Sequence, residues 1–370
     1  MGCDIGAHDD RGPGPDLHAL AAYPKPGQGT ECAPPEDCGV SVHTAIELRF
    51  DRYVLPSTAV RQSIQVFSGD EGNAMTFEPF YDVVERVVVY RLREGVQYQP
   101  GTLYTVRLRR PNKPGDFGFR AFDGAPLAED SVPLTYNFVT SRTVDSAPVD
   151  AQQTPNCGDI VNMFRTCSLS CHVTNSAPAC GQAPSAPADV DPPMQLWLHS
   201  PDALSATAIG HVAKQTEVGP RTGVVLQNPL RFGVQMPRID PGQPGNSYLL
   251  YKLLRKPENF SECAVNQPVP LLPNARRGEL FLGARCGTLT ESERLCLSDP
   301  CGSCYSVELP PGECIVAPVA ERERLHEWFS KGEPMPLDAL DATCQFVQRN
   351  LTKLDLRVLQ RWIADGAQCP

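Results

Sequence analysis

The stretch Cys167-Ser168-Leu169-Ser170-Cys171-His172 holds the residue types and order that could do chemistry. Two thiols can add to the two vinyl groups of a haem, and a histidine directly after the second can coordinate the iron from the proximal side. The usual attachment spacing leaves two residues between the cysteines. Here there are three, which keeps the chemistry possible but makes the motif less specific. The competing reading is that both cysteines sit in disulfides and His172 is a surface residue. A haem held here needs a second axial ligand, and Met335 is the expected one. A thioether stabilises ferrous iron, and prolines flank this residue in Gly332-Glu333-Pro334-Met335-Pro336 and would stiffen a ligand loop. Met236-Pro237 is a similar sequence, and His199 or His211 would give bis-histidine ligation.

Helices must position these groups. Ile160, Val161 and Phe164 fit one face of a short helix leading into Cys167, and Cys157 and Cys180 flank the motif closely enough to be bridged as a local staple. Ser247 is a natural N-cap for a helix carrying Tyr248, Leu250, Tyr251, Leu253 and Leu254. Leu325, Trp328 and Phe329 lie on another helix, which Gly332 should stop. A last helix should open at Thr352, bury Leu351, Leu354, Val358, Leu359, Trp362 and Ile363, and stop at Gly366. Leu325, Trp328, Gly332, Met335 and Pro336 recur at one constant offset as Leu359, Trp362, Gly366, Cys369 and Pro370, which reads as a local duplication.

At 370 residues the chain should hold two domains or three. Its 37 prolines are about twice the usual share of ~5%, which favours β-rich, loop-heavy architecture. A net charge of −10 with no basic run argues against nucleic acid and against an anionic membrane surface. Fifteen cysteines point to an oxidising compartment. With Cys3 set aside their number is even, which suits disulfides alone or two haem thioethers plus disulfides. The small residue before Cys3 resembles the end of a bacterial lipoprotein signal. Cys3 is therefore the expected lipidated residue, the other reading being an ordinary disulfide cysteine.

Residues 1–33, rich in Gly, Pro and Asp, read as a flexible tether. From 34 to 142 the pattern has period two: Ile46, Leu48 and Phe50, then Ile64 and Val66, the run Val87 to Tyr90, then Tyr104, Val106 and Leu108, and lastly Leu134, Tyr136 and Phe138. That spacing suggests a β-sandwich. Residues 143–156 are a linker, and 157–370 form the second domain. Within it, 261–316 is an insertion with Cys263, Cys286, Cys296, Cys301, Cys304 and Cys314. Cys301-Gly302-Ser303-Cys304 suits a redox pair or half a zinc site, but no βαβ context or histidine accompanies it, so structural disulfides are the better reading.

Two resemblances add to this. The segment 34–142 resembles bacterial Ig-like domains of surface-layer and other envelope proteins, on Ile46-Glu47-Leu48-Arg49-Phe50-Asp51, Pro100-Gly101-Thr102-Leu103-Tyr104-Thr105-Val106 and Tyr136-Asn137-Phe138-Val139-Thr140. Such domains act as spacers, and no site is assigned to it. Residues 157–370 resemble the cytochrome c-like domains of planctomycete and myxobacterial envelope proteins. The matching residues are Cys171-His172, Pro241-Gly242-Gln243-Pro244 with Ser247 and Leu249, and Leu359, Trp362-Ile363 and Gly366-Ala367. The fold class implied is multidomain: an N-terminal all-β Ig-like sandwich, then a mainly α cytochrome c-like domain with a disulfide-rich insertion.

The function implied is an exported, lipid-anchored envelope protein with one covalent haem c. It would work in electron transfer with a redox partner or an envelope complex, and would touch the membrane only through its anchor. The alternative is a haem-free, disulfide-stapled structural or adhesive envelope protein with a degenerate cytochrome-like core. A hydrolase is disfavoured, because Gly-x-Ser-x-Gly, His-Glu-x-x-His and paired carboxylates with a plausible base are all absent.

Overall fold

The computed structural model describes residues 13–31, 37–113, 115–144, 155–164, 195–216, 232–256, 317–330, 334–335, 339–340, 346–347, 351 and 353–369. Two compact units emerge. One is built around 11–152, the other around 153–261 and 316–370.

The β unit has seven strands: β1 (Ala19–Tyr23), β2 (Ile46–Phe50), β3 (Ile64–Phe67), β4 (Phe77–Asp82), β5 (Val87–Leu92), β6 (Leu103–Leu108) and β7 (Thr135–Val139). They form antiparallel sheets in the orders β1-β2-β5-β4 and β3-β6-β7. The N-terminal region is thus β-rich, with two small antiparallel sheets. Along β6, Tyr104, Val106 and Leu108 are buried while Leu103, Thr105 and Arg107 are more exposed, the alternation that one wet face produces. Aromatic rings join the sheets. Phe77 of β4 lies 6.4 Å from Tyr98, which lies 4.7 Å from Tyr104 of β6 and 5.5 Å from Phe138 of β7.

Part of the expected tether belongs to this unit, since β1 pairs with β2 from Ala19↔Phe50 to Tyr23↔Glu47. Upstream of β1 the chain is already fixed. Gly14 N–H donates to Asp123 Oδ2 at 3.0 Å, and Arg52 Nη1 donates to the Pro15 carbonyl. Arg52 and Asp123 pair at 2.6 Å with side chains 6% and 0% exposed.

Asp37 holds the other end of the unit. Its carboxylate accepts from Ser141 Oγ at 2.8 Å, Arg142 N–H at 3.0 Å and Thr143 N–H at 3.3 Å. Partial burial alone would raise its pKa, but these hydrogen bonds and one from Gly39 N–H outweigh it and hold the carboxyl below its usual value. A carboxylate with a depressed folded pKa contributes stability that is present above its unfolded pKa and is lost as pH falls through the folded one. Asp37→Asn should therefore melt lower than the parent at neutral pH, and the two curves should converge in acid, as read by thermal melts across an acid titration.

The C-terminal unit has α1 (Cys157–Met163), α2 (Pro201–Thr207), α3 (Tyr248–Leu254), α4 (Val319–Trp328), α5 (Lys353–Ala364), and the two-residue strands β8 (Ala339–Leu340) and β9 (Phe346–Val347) among the described residues. The expected fold class is corrected here, because these elements do not make a helical cytochrome c-like domain. Three of the five helices have seven residues and the longest has twelve. Extended bridges Ile209↔Ile239 and Val212↔Pro237 run between them. Proline is the physical reason. Pro201 and Pro318 lie at helix starts, and Pro237, Pro241 and Pro244 keep the run before α3 out of α-helix, because proline has no N–H for the ladder. No helix among the described residues is long and apolar enough to cross a membrane.

Packing centres on α5, against which α1, α3 and the turn Pro244–Asn246 lie. Leu356, Leu359, Trp362 and Ile363 of α5 are buried, and Gly366 (φ 98°) ends it by letting Ala367 N–H reach the Trp362 carbonyl at 2.9 Å. Ser247 precedes α3 but does not cap it with its side chain. Its hydroxyl accepts from Asp240 N–H at 2.9 Å and donates to the Gln243 carbonyl.

Candidate functional site

Cys3, Cys167, Cys171 and His172 lie outside the described residues, as do Cys180, Thr352, Gly332 and the whole insertion 261–316. What the structure places is the helix before the thiol motif and the four candidate distal ligands.

α1 begins with a capping box: Asp159 N–H donates to Asn156 Oδ1 at 3.1 Å, and Asn156 N–H donates to Asp159 Oδ2 at 2.9 Å. Ile160 and Phe164 are buried on one face. The proposed Cys157–Cys180 staple is corrected, because Cys157 is bridged to Cys369, 212 residues away, with the Cα atoms 5.1 Å apart. The bridge ties the first turn of α1 to the residues just after α5. Cys38 of the β unit is disulfide-bonded as well.

Met335 is half-buried, and its N–H donates to the Lys252 carbonyl on α3 at 3.4 Å. The polar groups near this point converge on Gln215, whose Oε1 accepts from Lys252 Nζ at 3.4 Å and from the Tyr248 hydroxyl. Burial pushes the Tyr248 phenol well up, with the Ser330 hydroxyl and Arg255 pulling it partly back. Arg255, the residue capping the C-terminus of α3, donates to the Ser330 carbonyl. Beneath lies an aromatic cluster. Phe329 is 5.2 Å from Phe232 and 5.3 Å from Tyr251, and Phe232 is 5.6 Å from Tyr251, all edge-on. Gly233 (φ 89°) is required there, since a Cβ on it would come within 2.6 Å of the Phe329 Cβ.

The rival ligands sit differently. Met236 is 2% exposed and locked at both main-chain groups: its N–H donates to Thr216 Oγ1 and its carbonyl accepts from Ala213 N–H. His199 is exposed, with its ring 5.5 Å from that of Trp197, and His211 is exposed. Among the described residues no three His, Cys, Asp or Glu side chains gather as metal ligands. A haem held by two thioethers and a proximal histidine would ask this part of the chain for a single donor, which a half-buried methionine thioether could supply. Sequence reasoning missed Gln215 and Cys369. The only sign of Cys369 was its place opposite Met335 in the internal echo.

No family model matches the chain, and no curated protein does. Among solved structures it is similar to those of the bacterial S-layer protein SbsC. The crystal structure of rSbsC(31-844) shares 11% identity over 38% of this chain and 17% of that one, with a TM-score of 0.24. The N-terminal part of SbsC shares 13% over 36% and 25%, also at 0.24. Domains 1-6 of SbsC share 11% over 38% and 17%, at 0.24. The chain thus spans no more than a quarter of each of these three structures, and at this TM-score the likeness decides nothing about its fold or role.

Proposed function

We propose that this chain works in the cell envelope as an exported protein, lipid-anchored at Cys3, that carries one c-type haem for electron transfer and uses its β unit as a spacer. The observation that best supports the reading is the Cys157–Cys369 bridge. Such a bridge belongs to an oxidising compartment. It also commits Cys157 elsewhere, so that thiol does not compete for Cys167 or Cys171. Haem attachment needs two thiols and an adjacent imidazole and does not need the cytochrome c architecture, which the described residues do not form. Cys167 and Cys171 would form the thioethers, His172 would be proximal and Met335 distal. Met335 is favoured over Met236 because the latter would have to leave a core in which it is 2% exposed. It is favoured over His199 and His211 because both are exposed.

A second reading, a haem-free structural or adhesive envelope protein, is favoured by the aromatic cluster of Phe232, Tyr248, Tyr251 and Phe329. It closes the interior around α3 from the protein's own side chains.

One experiment separates the two. Exported from a host with cytochrome c maturation machinery, the protein should carry one haem that survives acid–acetone extraction. Its ferric form should show the weak sulfur-to-iron charge-transfer band, and Met335→Ala should abolish that band while keeping the covalent haem. Colourless protein with Cys167 disulfide-bonded to Cys171 by mass spectrometry leaves the structural reading standing. Loss of the band in Met236→Ala and not in Met335→Ala moves the distal ligand to Met236.

A further inference from the structure

We propose that the β unit is built to resist tension between its two ends, through a clamp in which the entering and leaving chains lie side by side and run the same way. Leu17 N–H donates to the Pro126 carbonyl at 2.8 Å, and Ala128 N–H to the Leu17 carbonyl at 2.7 Å. Further along, Val132 N–H donates to the Ala19 carbonyl at 3.0 Å, Gly27 N–H to Asn137 at 2.7 Å and Val139 N–H to Gln28 at 2.8 Å. The series closes with Val40 N–H on the Val139 carbonyl at 2.9 Å and Ser141 N–H on the Val40 carbonyl at 2.7 Å. Gln28 and Val40 both meet Val139, so the entering chain touches the leaving one in separate places, and the isolated bridges Leu17↔Leu127 and Val40↔Thr140 at its two ends are both parallel.

Direction of pull decides how such bonds break. In an antiparallel pair loaded at its neighbouring ends, the bonds lie along the force and open one after another. In a parallel pair, one chain pulled back toward its start and the other pulled forward slide against each other. The bonds then lie across the force and share it, so they fail together. Tension between residue 13 and residue 144 is of this second kind. Side chains secure both ends of the run. Arg52 and Asp123 hold Gly14 and Pro15, while Asp37 holds Ser141, Arg142 and Thr143. This goes beyond the haem reading and stands whether or not haem is attached.

The same molecule contains its own control. β6 and β7 are antiparallel, with Leu103 opposite Val139, so the exposed turn Arg93–Val96 before β6 and the exit after β7 would load that pair at one end. The full chain, tagged by peptide ligation, would be pulled in a single-molecule instrument between a handle at Pro13 and one just after Val144, and separately between a handle at Gly95 and the one after Val144. The first geometry should need a severalfold higher force to unfold the β unit than the second. Equal forces, or a weaker first geometry, would overturn the proposal.

Discussion

Replacing Asp123 by alanine should destabilise the β unit by about 3–5 kcal/mol, read from the shift of its urea midpoint at unchanged slope. The side chains of Arg52 and Asp123 are 6% and 0% exposed and meet at 2.6 Å, with a second contact at 3.3 Å. Removing the acid leaves a guanidinium in a place with little water to solvate it, and the Gly14 N–H loses its acceptor. Against a total stability of about 5–15 kcal/mol the loss is large. The sign of the companion experiment is less intuitive. Arg52→Met combined with Asp123→Leu should recover most of the loss, because two charges kept out of water repay their desolvation only when both are present. A single variant costing under ~1 kcal/mol would place the pair with ordinary surface ion pairs.

The other large effect is expected in the C-terminal unit. Cys157→Ala with Cys369→Ala should cost it about 2–5 kcal/mol, since the bridge closes a very long loop and so restricts the unfolded chain. Cys157 is itself 3% exposed, which is why both cysteines must be replaced: a lone buried thiol would be left to mispair. The structure says where the loss should appear. α1 docks on α5, and its cap rests on Asn156 and Asp159 alone, so hydrogen exchange should quicken first at the amides of α1. At the amides of α1, reduced parent protein should exchange as fast as the double variant, whatever reduction does to the other disulfide at Cys38. Equal exchange in the oxidised and reduced forms would mean that packing alone holds α1.

The sequence told some elements plainly and hid others for physical reasons. The runs at Ile46, Ile64, Val87, Tyr104 and Tyr136 fall on β2, β3, β5, β6 and β7, but one wet and one dry face accounts only for β6 and β7: β2 is buried on both faces, Glu47 and Arg49 included, and β5 nearly so. β1 left none. Ala19-Leu20-Ala21-Ala22-Tyr23 has neither alternation nor β-branched residues, and only pairing with β2 makes it a strand. β4 was hidden by Pro79, which is tolerated because β4 lies at the sheet's edge, where a missing N–H breaks no ladder. In the C-terminal unit the apolar faces of α1, α3, α4 and α5 were legible, but the domain class drawn from them was not. Short motifs in the right order resemble a family without fixing how the prolines between them break the helices. Cysteine pairing was illegible in principle, since spacing does not determine connectivity, and the near partner Cys180 looked better than the distant Cys369. Of the candidate haem-holding residues, only Met335 lies among the described residues, and the hydrogen bond from its N–H to the Lys252 carbonyl had no signature in the sequence.

The bond between Cys157 and Cys369 also sets how the molecule answers a protease. A single cut anywhere between these two residues yields two polypeptides but still one molecule. The downstream piece stays joined to whatever lies upstream of Cys157, and a non-reducing gel would register no loss of mass. Nicking in that long interval therefore need not separate the C-terminal piece from the rest of the chain. The fragments part only when a reductant reaches the sulfurs, so release takes two separate events where an unbridged chain would need one.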